Sequence, residues 1–399
     1  MALTLHGTVS DNTVALDRKT ATPLIINGDM QIAQRSTSAT GKTGIGYHSL
    51  DRFLSVITSM GTWTQSQSTD VPTGQGFLSS LKMDCTTAKT SPDSNSALIL
   101  IQRIEGQNLQ MLKYGASSAE TITLSFWVKS AKTGTYIIEL DQHGNSKDYS
   151  QSYTINSANT WEKKVMTFSG DTASSLANDN TQQLEINFWL GAGSDYSSGT
   201  LNTSWASTTN ANRAAGQVNL ADSTSNDWYI TGVQLEVGSF DANSIPPFQF
   251  EDVGTSLARC QRYYYNPLQG TTNAYGVFGQ VVCLSSTTAR GILYSPSVMR
   301  SLPTIVTSGS LELAGDSFTI EVSSIATSVR TGTQAMEFTY TVSSGLSSGE
   351  GAIVRRRNDA SATFQLDAEL WVINYTTIQS LEILHVLYKQ LEIQKNLFQ

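Results

Sequence analysis

The chain has 399 residues, which suggests two or three domains of ordinary size and ample length for a hydrophobic core. Charged residues make up 15% of it, below the roughly 25% usual for soluble globular proteins, which argues against a helical enzyme rich in Glu and Lys. A formal net charge of -8 would repel a phosphate backbone over most of the surface, so the composition argues against nucleic acid as a partner.

The N-terminal segment 1–23 shows only weak alternation of apolar and polar side chains. It is too short to bury a core alone, so we interpret it as an attachment segment that needs a partner surface. It has no basic and apolar stretch typical of a secretory signal, and the longest apolar run of the chain, 97–101, is too short to cross a bilayer. We therefore expect no Sec export and no membrane insertion.

Residues 24–250 alternate with period two in short segments separated by Gly, Ser, Asn and Asp, which is typical of antiparallel β-structure. The clearest segment, 121–128, places Ile122, Leu124, Phe126 and Val128 on one face. The pattern recurs in 183–190 and 228–237, and six more strands are predicted near 52–58, 62–67, 77–83, 98–103, 135–141 and 161–168. Roughly nine strands predict a jelly-roll sandwich of two sheets.

Helical spacing is rare before residue 370. Residues 105–114 predict one short helix with Leu109 and Leu112 turned inward, and 251–267 predict a linking helix that ends at Asn266. Alternation then returns over 268–370, which predicts a second, smaller β domain. The extension 371–399 has the apolar pattern of an amphipathic helix, either packed on its own domain or paired with other copies.

The sequence contains little that predicts catalysis. Its four histidines are scattered, and Cys85, Cys260 and Cys283 are too far apart for a ligand motif, so we interpret the cysteines as buried apolar residues. Five carboxylates could supply the acid pair of a glycosidase: Glu139, Asp141, Asp148, Glu185 and Glu236. However, acids that alternate on an exposed sheet face are usually solvated. A structural calcium ion is left open, because no spacing localises it.

Aromatic residues are the stronger signal of function. Trp127, Trp189 and Trp228 fall out of phase with the clearest apolar face of their strands, among polar neighbours such as Asn187. Flat rings beside hydrogen-bonding groups suit a sugar ring or a partner protein, and the polar loop 191–227 adds two more rings. The predicted carbohydrate-binding residues are Trp127, Trp189, Trp228, Asn187, Tyr196 and Trp205. The alternative is that the second face is also covered, and that these tryptophans pack there.

Five motifs give the chain a specific resemblance. They are LIINGDMQIAQR at 24–35, SLDRF at 49–53, SFWVKS at 125–130, QLEVGS at 234–239 and LARCQRYY at 257–264. In order and spacing they resemble tail-fibre proteins of tailed bacteriophages, and the body resembles the carbohydrate-binding jelly rolls found in such fibres. Two parts depart from that pattern: the connection 240–253, which replaces a shorter one, and the extension 371–399.

The resemblance implies a non-enzymatic virion protein, usually a homotrimer, that contacts host-surface polysaccharide. We expect a structural subunit of a tail fibre or spike, assembled in the host cytoplasm and attached to the tail or an adaptor protein through its N-terminus. Two alternatives stay open. One is a fibre-borne polysaccharide depolymerase, and the other is an architectural tail or collar protein without receptor contact.

Overall fold

The computed structural model of the protein describes residues 19–371. Within these residues, 19–368 belong to one compact unit, and 369–371 belong to a second. The predicted attachment segment as far as residue 18, and the predicted C-terminal helix beyond Trp371, lie outside the described residues. Among the described residues, no helix is both long enough and apolar enough to span a membrane.

Thirteen antiparallel strands build the first part of the compact unit. They are β1 (Ser38–Lys42), β2 (Gly46–Tyr47), β3 (Phe53–Thr58), β4 (Thr62–Ser68), β5 (Ser80–Thr87), β6 (Ala97–Glu105), β7 (Ile122–Ser130), β8 (Gly134–Gln142), β9 (Lys147–Ile155), β10 (Glu162–Phe168), β11 (Gln182–Ala192), β12 (Ala206–Ser207) and β13 (Asp227–Val237). A six-stranded sheet has the order β1-β4-β5-β13-β7-β10, and a seven-stranded sheet has the order β12-β9-β8-β11-β6-β3-β2.

The two sheets bury one core between them. Phe126 of the first sheet packs edge-to-face on Phe188 of the second, with ring centroids 5.3 Å apart. All four apolar residues predicted on one face of 121–128 are fully buried in this core. The predicted fold class, mainly β with an antiparallel sandwich, is therefore confirmed, and the nine predicted strands are all present. β1, β2, β9 and β12 were not predicted.

The alternation of inward and outward side chains shifts by one residue in the middle of β13. Trp228 and Ile230 point into the core, and so do Val233 and Leu235, three to five positions further on. A bulge between Thr231 and Gln234 shifts the pairing with β7, and Gly232 adopts the left-handed φ of 61° that the shift requires. The predicted alternation of 228–237 is thus wrong for Trp228, which belongs to the core side.

The helices are few. Residues 105–114 form two 3-10 turns, Gly106–Asn108 and Gln110–Leu112, instead of the predicted single helix, although Leu109 and Leu112 are buried as predicted. Three other 3-10 turns are His143–Asn145, Asn210–Asn212 and Leu220–Asp222, and α1 is Ser194–Ser197. The predicted linking helix is present as α2 (Val253–Gln261), where the Asp252 carboxylate accepts a hydrogen bond from the Thr255 amide at 3.0 Å.

A second β-structure with its own core follows the linking helix. Its strands are β14 (Tyr264–Tyr265), β15 (Val277–Cys283), β16 (Thr288–Tyr294), β17 (Thr304–Ser308), β18 (Leu311–Ala314), β19 (Thr319–Thr327), β20 (Ala335–Val342), β21 (Gly351–Arg356) and β22 (Thr363–Asp367). Six of them close a barrel in the order β15-β16-β20-β19-β18-β21, and β14-β22-β17 form a three-stranded sheet. The separate core includes Leu313, Phe338 and Phe364. The exact domain boundaries stay a prediction.

Three of the five motifs meet where the sandwich joins the barrel. The Arg52 guanidinium lies 3.5 Å from the centroid of the Tyr263 ring, and that of Arg35 lies 3.6 Å from the Tyr264 ring. The Gln34 side chain donates to the Tyr264 carbonyl at 2.8 Å. These motif residues therefore anchor the start of the second β-structure, at β14, to the sandwich, which is a structural role.

Candidate functional site

A groove lies on the outer face of the six-stranded sheet, with a volume of about 200 Å³. Its floor comes from β7, β10 and β13. Its wall comes from two segments outside these strands, 75–77 and 247–250. The lining residues are Gln75, Phe77, Ser125, Trp127, Lys163, Gly232, Gln234, Pro247, Phe248 and Phe250. We call it the Trp127 groove.

Strand register places the floor residues. Trp127 stands between Lys163 of β10 and Thr231 of β13, its two cross-strand neighbours. Ser125, two positions earlier on the same face, is paired with Gln234. Because period two sends Phe126 into the core, Trp127 points outward, where it is half-buried. One of the six predicted carbohydrate-binding residues thus lies in an open groove.

Three phenylalanines form the wall. The Phe77 ring packs against Phe248 and Phe250 at centroid distances of 5.1 and 5.2 Å, and the last two rings are 4.9 Å apart. Phe250 keeps 47% of its surface exposed. The wall thus lines the same groove as the Trp127 ring, together with small and polar side chains.

The bulge in β13 makes room for this wall. A Cβ atom at Gly232 would lie 2.5 Å from the Phe77 ring, closer than van der Waals contact permits. Glycine therefore serves two needs at this position, the left-handed φ and the close approach of an aromatic ring. A glycine inside an alternating pattern is the signal that could have predicted the bulge.

The groove also offers hydrogen-bonding groups. Gln234 donates to the Pro246 carbonyl at 3.0 Å, and its buried side-chain oxygen has no hydrogen-bond partner among the described residues. Lys163 is exposed, and within residues 19–371 no carboxylate pairs with its ammonium group. Burial of its stem lowers the pKa of Lys163, with no charged neighbour contributing.

Aromatic and charged residues lie beside the groove on the same face, starting with Lys129, two positions after Trp127 on β7. The Lys129 ammonium lies 4.2 Å from the centroid of the Tyr229 ring and forms an ion pair with Asp70. The Trp161 indole donates to the Asp70 carboxylate at 3.0 Å. The face around the Trp127 groove thus combines flat rings with held polar groups.

Trp228 and Trp189 do not form the predicted platform. Trp228 is 0% exposed because the bulge turns it into the core, where its ring lies 6.2 Å from Phe188. Trp189 is also 0% exposed, although it does point away from the core as predicted. It lies on the outer face of the seven-stranded sheet, beneath residues 193–218, which we call the covering segment. The prediction of an open surface is therefore wrong at both positions.

The remaining predicted residues belong to that covered region or its edge. Asn187 is buried and donates to Glu139 at 3.1 Å. The Tyr196 ring packs on Trp189 at 5.5 Å. Trp205 is half-buried against Tyr114 and Tyr149, and its indole donates to the Ser169 carbonyl at 2.7 Å. Trp189, Asn187 and Tyr196 therefore support the covered-face alternative, whereas Trp228 belongs to the core between the sheets and Trp205 to its edge.

The structure gathers four of the five predicted carboxylates on the seven-stranded sheet: Glu139, Asp141, Asp148 and Glu185. Glu236 lies on β13 of the other sheet. Burial, then the nearby Glu185 and Glu139, raises the pKa of Asp141 to about 8, and burial and Glu139 raise that of Asp148 to about 6. Within residues 19–371, no group of three or more His, Cys, Asp or Glu could hold a metal ion.

These carboxylates are bound to the protein itself. Glu139 receives hydrogen bonds from Arg213 at 2.6 and 3.1 Å and from the Trp189 indole at 2.8 Å. Glu185 pairs with Arg103 at 2.7 Å. A glycosidase pair, which the sequence pattern did not favour, would need two acids facing an open cleft, and the arrangement here is a buried ion network.

No protein-family model matches the chain, and no curated protein is similar to it in sequence. Solved structures with some similarity include the enzymatically active domain of bacteriophage CBA120 tailspike protein 4, at 17% identity and a TM-score of 0.28, over 54% of this chain and 21% of that one. TmCBM61 in complex with β-1,4-galactotriose shows 10% identity and a TM-score of 0.27, over 54% and 99%.

The family 11 carbohydrate-binding module from Clostridium thermocellum, in complex with a β-1,3-1,4-mixed-linked tetrasaccharide, shows 10% identity and a TM-score of 0.25, over 56% of this chain and 99% of that one. At such scores these likenesses add no argument about what the chain does.

Proposed function

We propose that the chain is a non-enzymatic glycan-binding subunit and that the Trp127 groove is its binding site. The observation that carries this proposal is an outward tryptophan on a sheet floor, faced by a wall of three phenylalanines and accompanied by polar groups without protein partners. The pyranose ring has apolar faces and polar edges, so it needs an aromatic surface and hydrogen-bonding groups together.

The biological setting of this proposal is a phage tail fibre or spike that adsorbs to host-surface polysaccharide. Its support is the motif resemblance at 24–35, 49–53, 125–130, 234–239 and 257–264. We propose that the N-terminal segment attaches the subunit to the tail or to an adaptor protein. We also propose a homotrimer, in which three weak sugar contacts would act together and raise avidity by orders of magnitude.

Replacement of the central ring tests the site. Trp127→Ala should weaken binding to host cells or their isolated polysaccharide at least about tenfold, because buried aromatic anchors often contribute 2 kcal/mol or more. The matched control is Tyr275→Ala, which removes an exposed ring of the barrel. Binding is measured on immobilised polysaccharide, and folding is checked by near-UV circular dichroism. Unchanged affinity of a folded Trp127→Ala protein would overturn the proposed site.

We propose that no hydrolysis accompanies binding, because Asp141 and Asp148, whose pKa values are raised, are buried and bound by Arg213 and Asn202 of the covering segment. Incubation of the protein with host capsule or lipopolysaccharide should therefore release no new reducing ends. Their appearance in proportion to protein concentration would favour the depolymerase alternative instead.

A further inference from the structure

The Trp127 groove has a distinctive charge. Among its ten lining residues Lys163 carries the only charge, and the other nine are neutral. The whole chain has a formal net charge of -8, so a binding groove with a lone positive charge runs against the general composition. A neutral ligand would gain little from that charge.

Three other lysines on the same sheet have acidic partners, whereas Lys42 of the edge strand β1 has none among the described residues. Lys164, the neighbour of Lys163 in sequence, pairs with Glu162 at 2.6 Å. Lys82 pairs with Asp84 at 3.0 Å, and Lys129 pairs with Asp70. Within residues 19–371, Lys163 shows no such ion pair, and burial is the single cause of the change in its pKa. Lys129 on β7 and Lys164 on β10 are thus neutralised by nearby carboxylates, and Lys163 is not.

Register fixes where an anion would sit. Lys163 is the cross-strand partner of Trp127, and cross-strand side chains on one face stand about 5 Å apart at Cβ. A sugar ring that covers the indole would therefore carry its exocyclic substituents to the ammonium group. The flexible lysine stem can reach a carboxylate at more than one ring position.

We infer that the Trp127 groove binds an anionic saccharide, whose ring lies against Trp127 and whose acidic group pairs with Lys163. This inference rests on the proposed function and specifies its ligand class. Both a carboxylate, as in a uronic acid, and a sugar phosphate would supply the negative charge. A charge-assisted hydrogen bond to the acidic group should raise affinity about tenfold, which corresponds to about 1.4 kcal/mol.

An array of bacterial surface polysaccharides tests the inference, with each polysaccharide printed native, after carboxyl reduction and after removal of phosphate with hydrofluoric acid. The wild type should bind acidic members and lose about tenfold in affinity after one of the two treatments, which identifies the acid. Binding should also weaken with added salt. Equal binding to native, reduced and dephosphorylated forms would overturn the inference.

Variants at two adjacent lysines separate the charge from the fold. Lys163→Gln should lower affinity for the native acidic glycan about tenfold and leave the residual affinity for the treated, neutral glycan unchanged. Lys163→Arg should retain binding, and the control Lys164→Gln should behave as the wild type. If Lys163→Gln binds the native glycan as well as the wild type does, the inference fails while the proposed function stands. If no polysaccharide binds, or Trp127→Ala binds normally, the proposed function itself fails.

Discussion

The two outer faces of the sandwich present nearly the same local pattern and have opposite outcomes. On the six-stranded sheet, Trp127 alternates with core residues and lies in an open groove. On the seven-stranded sheet, Trp189 alternates in the same way and is 0% exposed beneath the covering segment. A tryptophan between polar neighbours therefore indicates only that the outer face of a strand makes contacts, with a ligand or with another segment of the chain. Whether that face is a surface or an interface is decided by a segment distant along the chain.

Electrostatics follow the same division. Beneath the covering segment the charges are matched, because Arg213 and Arg103 bind Glu139 and Glu185. In the Trp127 groove a single ammonium group is left without a described acidic partner. Buried charges have to be paired inside the protein, whereas an exposed charge can be left for a ligand. Changes on the covered face should therefore affect stability, and changes in the open groove should affect binding.

The largest expected effect is on the covered face. Glu139→Ala should reduce the free energy of unfolding by about 3–5 kcal/mol, because it leaves the Arg213 guanidinium buried without its carboxylate. Urea denaturation measures the loss. Removing both partners, in Glu139→Ala/Arg213→Ala, should recover part of it, because the guanidinium that lost Glu139 is then absent as well.

The control for that variant is Asp93→Ala, which breaks the exposed pair with Lys89 and should cost at most about 1 kcal/mol. If Glu139→Ala were no more destabilising than this control, the network would be solvated. The contrast between the two faces would then be wrong.

A pH-dependent effect on stability is also expected on the covered face. The raised pKa of Asp141, about 8, means that the folded state holds this proton more tightly than the unfolded chain does. The stabilising contribution is complete below the ordinary carboxyl pKa of about 4 and is lost as the pH rises towards 8. The groups that face Asp141 are Glu139, Glu185, Asp148 and Arg213.

Asp141→Asn should therefore match the wild type near pH 4 and be more stable at pH 9, with a melting-temperature difference that grows over that interval. The exposed Asp316→Asn serves as the matched control and should track the wild type throughout. Parallel curves for Asp141→Asn and the wild type would show that the carboxyl group is ionised without cost in the folded protein.

Much of the fold could be predicted, because alternation with period two has one physical cause. In β7 and β11 every second residue must be apolar to reach the shared core, and both strands were predicted. β9 was missed because Gln151 interrupts its inward series of Tyr149, Tyr153 and Ile155. The helix predicted at 105–114 was wrong because so short a segment gains little from helical hydrogen bonds, and burial of Leu109 and Leu112 needs only two tight turns.

The site could be predicted only in part. Trp127 follows from the pattern of its own strand, but the wall of Phe77, Phe248 and Phe250 comes from segments remote from β7 in sequence. No local pattern indicates that those rings meet, because their proximity depends on where the chain crosses the sheet. The contact between the covering segment and Trp189 could not be predicted either, because the polar composition of the segment gave no sign that it would bury a tryptophan.

The smallest expected effect is at Gly232, which links stability to binding in the open groove. Gly232→Ala should reduce the free energy of unfolding by about 1–2 kcal/mol, because alanine is strained at a φ of 61° and its Cβ would press on the Phe77 ring. Displacement of that ring should also weaken glycan binding. The control is Gly279→Ala, whose Cβ would meet Val354 at an ordinary 3.8 Å. If the two variants were equally stable in urea and bound glycan equally well, the bulge at Gly232 would not determine the shape of the Trp127 groove.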